Sequence, residues 1–196
     1  MNYILASASP RRSEILKSIG LDFKVVVAET DEDCDIDDPC QLTETLAARK
    51  GRDVWITLSE RGEAGSDTVV ISADTVVFCN GEILGKPRDR EDARRMLRLL
   101  SDNEHTVITG IALTCDGKTV TSHSETKVSF SDMSDSDIEF YLDSGEPFDK
   151  AGAYGIQGKA SIWIKKIDGC YFNVVGLPVN CLCDLASQSF GRLELK

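Results

Sequence analysis

The stretch that most constrains the fold is TVVISADTVVF, residues 68–78, an almost continuous run of β-branched residues. Such a run is typical of a strand buried on both faces of a sheet. The carboxylate inside it, Asp74, has to be paired, metal-bound or placed at an exposed strand end, because burying it unpaired is costly. The run therefore predicts a central strand that carries either a functional aspartate or a structural ion pair.

A hairpin is predicted directly after this strand. Asn80-Gly81 is a two-residue sequence that favours a tight turn between antiparallel strands. Counting back from a regular turn places Thr75 opposite Lys86, next to Asp74. We therefore expect these three side chains within a few Å of one another, whether or not a bulge re-aims Lys86.

The amino-terminal stretch SASPRRSE places two arginines in the first turn of a predicted helix that follows a short strand at residues 3–6. A helix start carries partial positive charge, so cations are disfavoured there. Ser7, Ser9, Arg11 and Arg12 could instead hold phosphate oxygens together with backbone N–H groups. The alternative is an exposed first turn whose arginines face solvent.

Charge and composition limit the class of protein. A chain of 196 residues is long enough for a single domain over 1–196, and its net charge of -11 argues against a protein that coats nucleic acid or an anionic membrane. Any anion site must be local. Seven cysteines without a C-x-x-C pair indicate reduced, mostly buried thiols, and the lack of a signal or membrane-spanning stretch predicts a cytoplasmic protein.

A second predicted helix begins at Asp38-Pro39 and ends at about Lys50. Lys50 continues the apolar stripe of this helix, where a lysine stem can pass the edge of a core. Asp31 and Glu32 lie in the preceding acidic loop, as solvated residues or as ligands of a hard metal such as Mg or Mn. With two histidines in the chain, a histidine-rich zinc centre is improbable.

Predicted strands and helices alternate along the rest of the chain, so the fold class is α/β or mixed α+β. Further strands are predicted at residues 23–28, 106–114 and 126–130, further helices at 89–100, 134–145 and 182–190, and IWIKKI and YFNVV are predicted to pair as a hairpin.

Six segments resemble, in order, the Maf family of nucleoside triphosphate pyrophosphatases: LASASPRRSEIL, ETDE, ISADTVV, ILGKPRD, SGEPFDKAGAYGIQG and VVGLP. The resemblance covers nearly the whole chain. It implies a cytoplasmic, usually dimeric α/β enzyme with a central mixed sheet, flanking helices and two lobes around a cleft. It also implies hydrolysis of nucleotides to a monophosphate and pyrophosphate with a divalent metal cation.

Within the family, the sequence resembles the dTTP/UTP branch. The branch acting on 7-methyl-GTP carries Trp, Gln and Glu where this chain has Arg11, Thr75 and Gln157. The resemblance makes Asp74 the proton acceptor and, with Glu32, a metal ligand. The substrate-binding residues that it implies are Ser7, Arg11, Arg12, Lys50, Thr75, Lys86 and Gln157.

One segment departs from the family pattern. Arg49-Lys50-Gly51 stands where Glu-Lys-Ala is common, so the helix loses an acid and gains a flexible residue. Two other functions stay open at this point. One is a nucleotide-sensing regulator of cell division or septum formation with incidental turnover, and the other is broader cleansing of inosine-type purines.

Overall fold

The computed structural model describes residues 1–196 and consists of one seven-stranded mixed sheet with six α-helices, which confirms the predicted α/β class. The sheet order is β2-β1-β3-β5-β6-β7, and β4 pairs with β3. The strands are β1 (Asn2–Leu5), β2 (Phe23–Val25), β3 (Thr68–Cys79), β4 (Glu82–Leu84), β5 (Glu104–Cys115), β6 (Lys118–Phe130) and β7 (Ile164–Asp168). The helices are α1 (Pro10–Ser18), α2 (Pro39–Glu60), α3 (Arg90–Leu100), α4 (Asp135–Asp143), α5 (Tyr171–Val175) and α6 (Val179–Ser189).

The chain forms two compact units, each assembled from separate segments. The first unit comprises Met1–Asp74, Thr109–Ser124 and Gly176–Lys196, and the second comprises Thr75–Ile108 and Glu125–Val175. Each has its own hydrophobic core. In the first unit, one buried cluster consists of Ile4, Ala6, Val54, Leu58 and Val70. In the second unit, a larger cluster includes Leu84, Leu97, Phe130, Tyr141 and Trp163.

Parallel pairing of β1 with β3 determines where the first unit can place functional side chains. The register runs from Asn2 opposite Thr68 to Leu5 opposite Ile71. The carboxyl ends of parallel strands meet at one edge of a sheet. Ser7 and Asp74 each follow these paired residues by only a few positions, so both lie near that edge.

Helix α2 is longer than predicted, since it continues past Lys50 to Glu60. Its start is as expected, because the Asp38 side chain accepts a hydrogen bond from the Gln41 backbone N–H. Gly51 does not end the helix. A Cβ at that position would lie 2.7 Å from Ser72 Oγ and 2.9 Å from Thr114 Oγ1, so the missing side chain allows close packing on β3 and β5.

The Asn80-Gly81 turn is confirmed, with positive φ angles of 51° and 84° at its two residues. The β3–β4 ladder ends at Val77 opposite Leu84, so it does not extend to Thr75 and Lys86 as the regular count predicts. The short β4 explains the difference. After Leu84, the carbonyl of Gly85 accepts a hydrogen bond from the Gly152 N–H instead.

Two further predictions are wrong in detail. Strand β2 ends at Val25 and not at Ala28, because its ladder with β1 ends with Leu5 opposite Val25. The segment YFNVV is helix α5 and not a strand, since its buried Asn173 amide donates to Val107 O and Thr126 Oγ1, both at 2.9 Å. A local sequence pattern does not contain these distant partners.

All seven cysteines are free thiols, but only Cys79 and Cys115 are buried, so the expectation of mostly buried thiols is wrong. None of the helices combines the length and the hydrophobicity needed to cross a bilayer.

Candidate functional site

The junction between β1 and α1 fixes Arg12 at two points. Its Nη1 donates to the buried Ser7 Oγ at 3.1 Å, and its Nε donates to the Gly176 carbonyl at 2.8 Å. The Ser9 backbone N–H also donates to Ser7 Oγ, at 3.3 Å. Arg12 is therefore held by the protein and does not simply face solvent, although it and its neighbour Arg11 are both partly exposed.

Lys50 on α2 lies between two carboxylates. Its Nζ is 2.6 Å from Asp74 Oδ1 and 2.8 Å from Glu32 Oε1. Asp74 is 9% exposed, and its partner lysine is also largely buried, so this is an ion pair at the margin of the core. The burial cost of the aspartate within β3 is thus offset by a direct cationic partner.

The pKa of Arg12 depends on burial and on the charged groups around it, including this ion pair. Burial lowers the pKa of Arg12, and the nearby Arg11 lowers it further, whereas Asp74 and Glu32 act in the opposite direction. Arginine stays protonated at neutral pH. Three cations, Arg11, Arg12 and Lys50, therefore lie with Asp74 and Glu32, which places groups able to bind an anion in this part of an acidic chain.

Three of the predicted site residues belong to the second unit. Thr75 follows Asp74 directly on β3 and is partly buried. Lys86 is exposed and lies two residues beyond the end of β4. Gln157 is exposed in a turn closed by the Gly158 N–H, which donates to Gly155 O at 3.1 Å.

The donor set in the first unit fits a hard divalent cation. Glu32 and Asp74 present carboxylate oxygens to the same ammonium group, so their side chains converge. Carboxylates together with phosphate oxygens are the usual ligands of Mg²⁺ and Mn²⁺. These two residues could hold such an ion alongside a bound polyphosphate.

Sequence reasoning missed two residues that support this cluster. Ser72 is fully buried on the same face of β3 as Asp74, and its Oγ donates to the Ala47 carbonyl of α2 at 2.7 Å. Arg49 contacts the backbone of the acidic loop that carries Glu32. A polar residue inside an apolar run was a visible signal for Ser72, whereas Arg49 is an ordinary helix residue until its loop partners are known.

Comparison with known proteins identifies relatives along the whole chain. The family model described as Maf-like protein matches residues 2–193. A protein of Acetivibrio thermocellus named dTTP/UTP pyrophosphatase is 48% identical over 196 residues, covering 98% of this chain and 97% of the relative. Proteins of the same name from Symbiobacterium thermophilum and Carboxydothermus hydrogenoformans are 45% and 48% identical, covering 94% and 91% of this chain and 92% and 94% of the relatives.

Proposed function

The chain belongs to the Maf family, and from this premise we propose that it hydrolyses nucleoside triphosphates, with dTTP and UTP as substrates, to a monophosphate and pyrophosphate. Family membership supports the reaction class, and the names of the relatives support the substrates. The observation in this chain that carries the proposal is Lys50 held between Asp74 and Glu32.

In the proposed reaction, water attacks the α-phosphorus and the bond to the bridging oxygen breaks, which releases pyrophosphate. Asp74 orients the water and accepts its proton. Lys50, whose Nζ lies 2.6 Å from Asp74 Oδ1, keeps that carboxylate in one orientation. Because α2 and β3 are joined through Ser72 and Ala47, the acceptor and its partner are positioned before substrate binds.

Negative charge develops on the leaving pyrophosphate as the bridging bond breaks. Preorganised cations stabilise such charge better than mobile solvent does. Arg12 is preorganised by Ser7 and Gly176, and Lys50 by its two carboxylates. Lys86 is the third cation in the proposal. Ser7 completes the phosphate-binding set through its hydroxyl.

Glu32 and Asp74 are proposed to hold a divalent cation, Mg or Mn. When bound, such a cation lowers the pKa of a coordinated water and offsets phosphate charge, which makes an aspartate an adequate proton acceptor. With Lys50 between them, the two carboxylates are already oriented toward a shared cationic position.

Recognition of the base is assigned to Arg11, Thr75 and Gln157, the positions at which the sequence resembles the pyrimidine branch. The Gln157 amide offers both a donor and an acceptor, which matches the N3–H and a neighbouring carbonyl of uracil or thymine. A glutamate there could only accept when ionised. Substituting Gln157→Glu is therefore expected to reduce the preference for dTTP and UTP over purine nucleotides.

The proposal is tested by pyrophosphate release from a panel of purine and pyrimidine nucleoside triphosphates with Mn²⁺ or Mg²⁺. Release from dTTP and UTP is expected, with loss of at least about 100-fold in Asp74→Asn, in line with the usual contribution of a general base. The exposed Asp184 on α6 provides a matched control, Asp184→Asn, which should retain activity. A wild-type protein that folds but hydrolyses none of these nucleotides would contradict the proposal.

The family resemblance also leads us to propose a cytoplasmic homodimer that binds no nucleic acid. Light scattering during gel filtration tests the dimer, for which a mass of twice the 21.5 kDa chain is expected. A monomer mass at assay concentrations would contradict it.

A further inference from the structure

We propose that Arg49 is a positioning residue that fixes the acidic loop carrying Glu32, and that it thereby sets the affinity of the site for a divalent cation. This inference rests on the proposed function for the role of Glu32. Arg49 lies on helix α2, and the acidic loop that it contacts has a sequence that does not by itself favour a single conformation.

The guanidinium of Arg49 contacts the main chain of the loop at two carbonyls. Its Nη1 donates to the Asp33 carbonyl at 2.7 Å and to the Asp31 carbonyl at 3.3 Å, and its Nη2 donates to Cys34 Sγ at 3.7 Å. The loop is also folded on itself, since the Asp33 N–H donates to Asp31 Oδ1 at 2.9 Å. Residues 31, 33 and 34 of the loop are therefore tied to one side chain.

Glu32 lies between the two carbonyls that Arg49 binds. Its own carboxylate contacts Lys50, the next residue of α2, with 2.8 Å between Oε1 and Nζ. Arg49 thus binds the backbone on both sides of Glu32, and Lys50, the next residue, binds the Glu32 side chain. Since Lys50 also contacts Asp74, both proposed metal ligands meet at the ammonium group of the residue next to Arg49.

The chemistry of the loop explains why an arginine is suited to this position. The segment ETDEDCDIDD is strongly acidic, and its like charges repel one another. Arginine supplies a permanent positive charge and a planar set of donors, of which Nη1 binds both carbonyls and Nη2 reaches Cys34 Sγ. A lysine in its place would keep the charge but would have no second nitrogen for Cys34.

The test uses Arg49→Met, Arg49→Lys and a matched control, Arg52→Met. Arg52 lies one turn further along α2, is exposed, and contacts only the Thr119 hydroxyl, at 3.4 Å from its Nε. Two quantities are measured besides turnover. One is amide hydrogen exchange of residues 30–36, and the other is the Kd for Mn²⁺ from calorimetric titration of the nucleotide-free protein.

Arg49→Met is expected to accelerate exchange in this loop and to weaken Mn²⁺ binding by about 10-fold or more, the usual effect of losing a group that orients a metal ligand. Arg49→Lys should fall between this variant and the wild type, and Arg52→Met should match the wild type. Steady-state assays of Arg49→Met give two values, the Mn²⁺ concentration for half-maximal rate and kcat at saturating Mn²⁺. The fold-increase in the first should exceed the fold-decrease in the second.

Unchanged loop exchange in Arg49→Met would show that Arg49 does not fix the loop. Faster exchange with an unchanged Kd would show that fixing the loop does not set metal affinity. Either result overturns the inference. Failure of the proposed function is recognised separately, because the wild type would then release no pyrophosphate while the exchange data would still decide whether Arg49 holds the loop.

Discussion

His105 should make the stability of the protein depend on pH. The side chain is 2% exposed and packs edge-on against Phe130 and Tyr154, with its Nε2 2.7 Å from the Tyr154 hydroxyl oxygen. Burial lowers the pKa of His105 from 6.5 to about 4. Between these values the unfolded chain binds a proton that the folded chain does not, so the free energy of unfolding falls as pH falls.

The magnitude follows from the two pKa values. Each pH unit in this window costs about 1.4 kcal/mol, so His105 should remove about 2 kcal/mol of stability at pH 5 and about 3 kcal/mol at pH 4, relative to pH 7. The assay is urea unfolding of the wild type and of His105→Gln across this range. Glutamine does not titrate and can still form a hydrogen bond with Tyr154.

Carboxylates titrate in both proteins, so their contributions largely cancel when the two free energies are subtracted. The wild type should lose about 3 kcal/mol relative to His105→Gln between pH 7 and pH 4. If the difference between the two proteins stays constant across this range, His105 binds its proton equally well in the folded and unfolded states, and its burial does not lower its pKa.

Three further predictions concern the fold and the metal. A Cβ in Gly110→Ala would collide with the backbone of Thr43 and Glu44, so α2 would have to shift. The free energy of unfolding, measured with urea, should fall by about 1–3 kcal/mol. An unaltered free energy of unfolding would contradict the close packing. Ser134→Ala removes the hydroxyl that accepts the Asp137 N–H and should cost about 1 kcal/mol by the same method, and no loss would mean that this cap is not formed in solution. EDTA should abolish pyrophosphate release and added Mg²⁺ or Mn²⁺ should restore it, whereas full activity in chelator would exclude the proposed cation.

Much of the fold could be predicted because local signals and tertiary structure agree. The β-branched run around Asp74 is β3, Asn80-Gly81 is the predicted turn, and the helix predicted from residue 134 begins there with a capping box of Ser134 and Asp137. In each case a few neighbouring residues determine the local structure. These elements can therefore be predicted from the sequence without knowledge of tertiary contacts.

The errors occur where a distant partner decides the structure. Gly51 would weaken an exposed helix, but here its missing side chain allows α2 to approach Ser72 and Thr114. The segment around Asn173 has strand-forming residues, but its amide is satisfied by Val107 and Thr126. Neither partner is close in sequence.

The candidate site could be predicted only in part. Asp74 was identifiable as a costly buried charge, but its partner Lys50 lies 24 residues away and no spacing rule connects them. The family resemblance named both residues without giving their contact. Arg49 was not identifiable, since its role depends on the path of an acidic loop whose own sequence does not determine a conformation.

Attack of water on the α-phosphorus is the step on which the proposed function depends. It is tested most directly by hydrolysing dTTP in heavy-oxygen water, H₂¹⁸O, and analysing both products by mass spectrometry. The label is expected to enter the monophosphate, and pyrophosphate is expected to stay unlabelled. Label in pyrophosphate would contradict it, because the attack would then occur at the β-phosphorus.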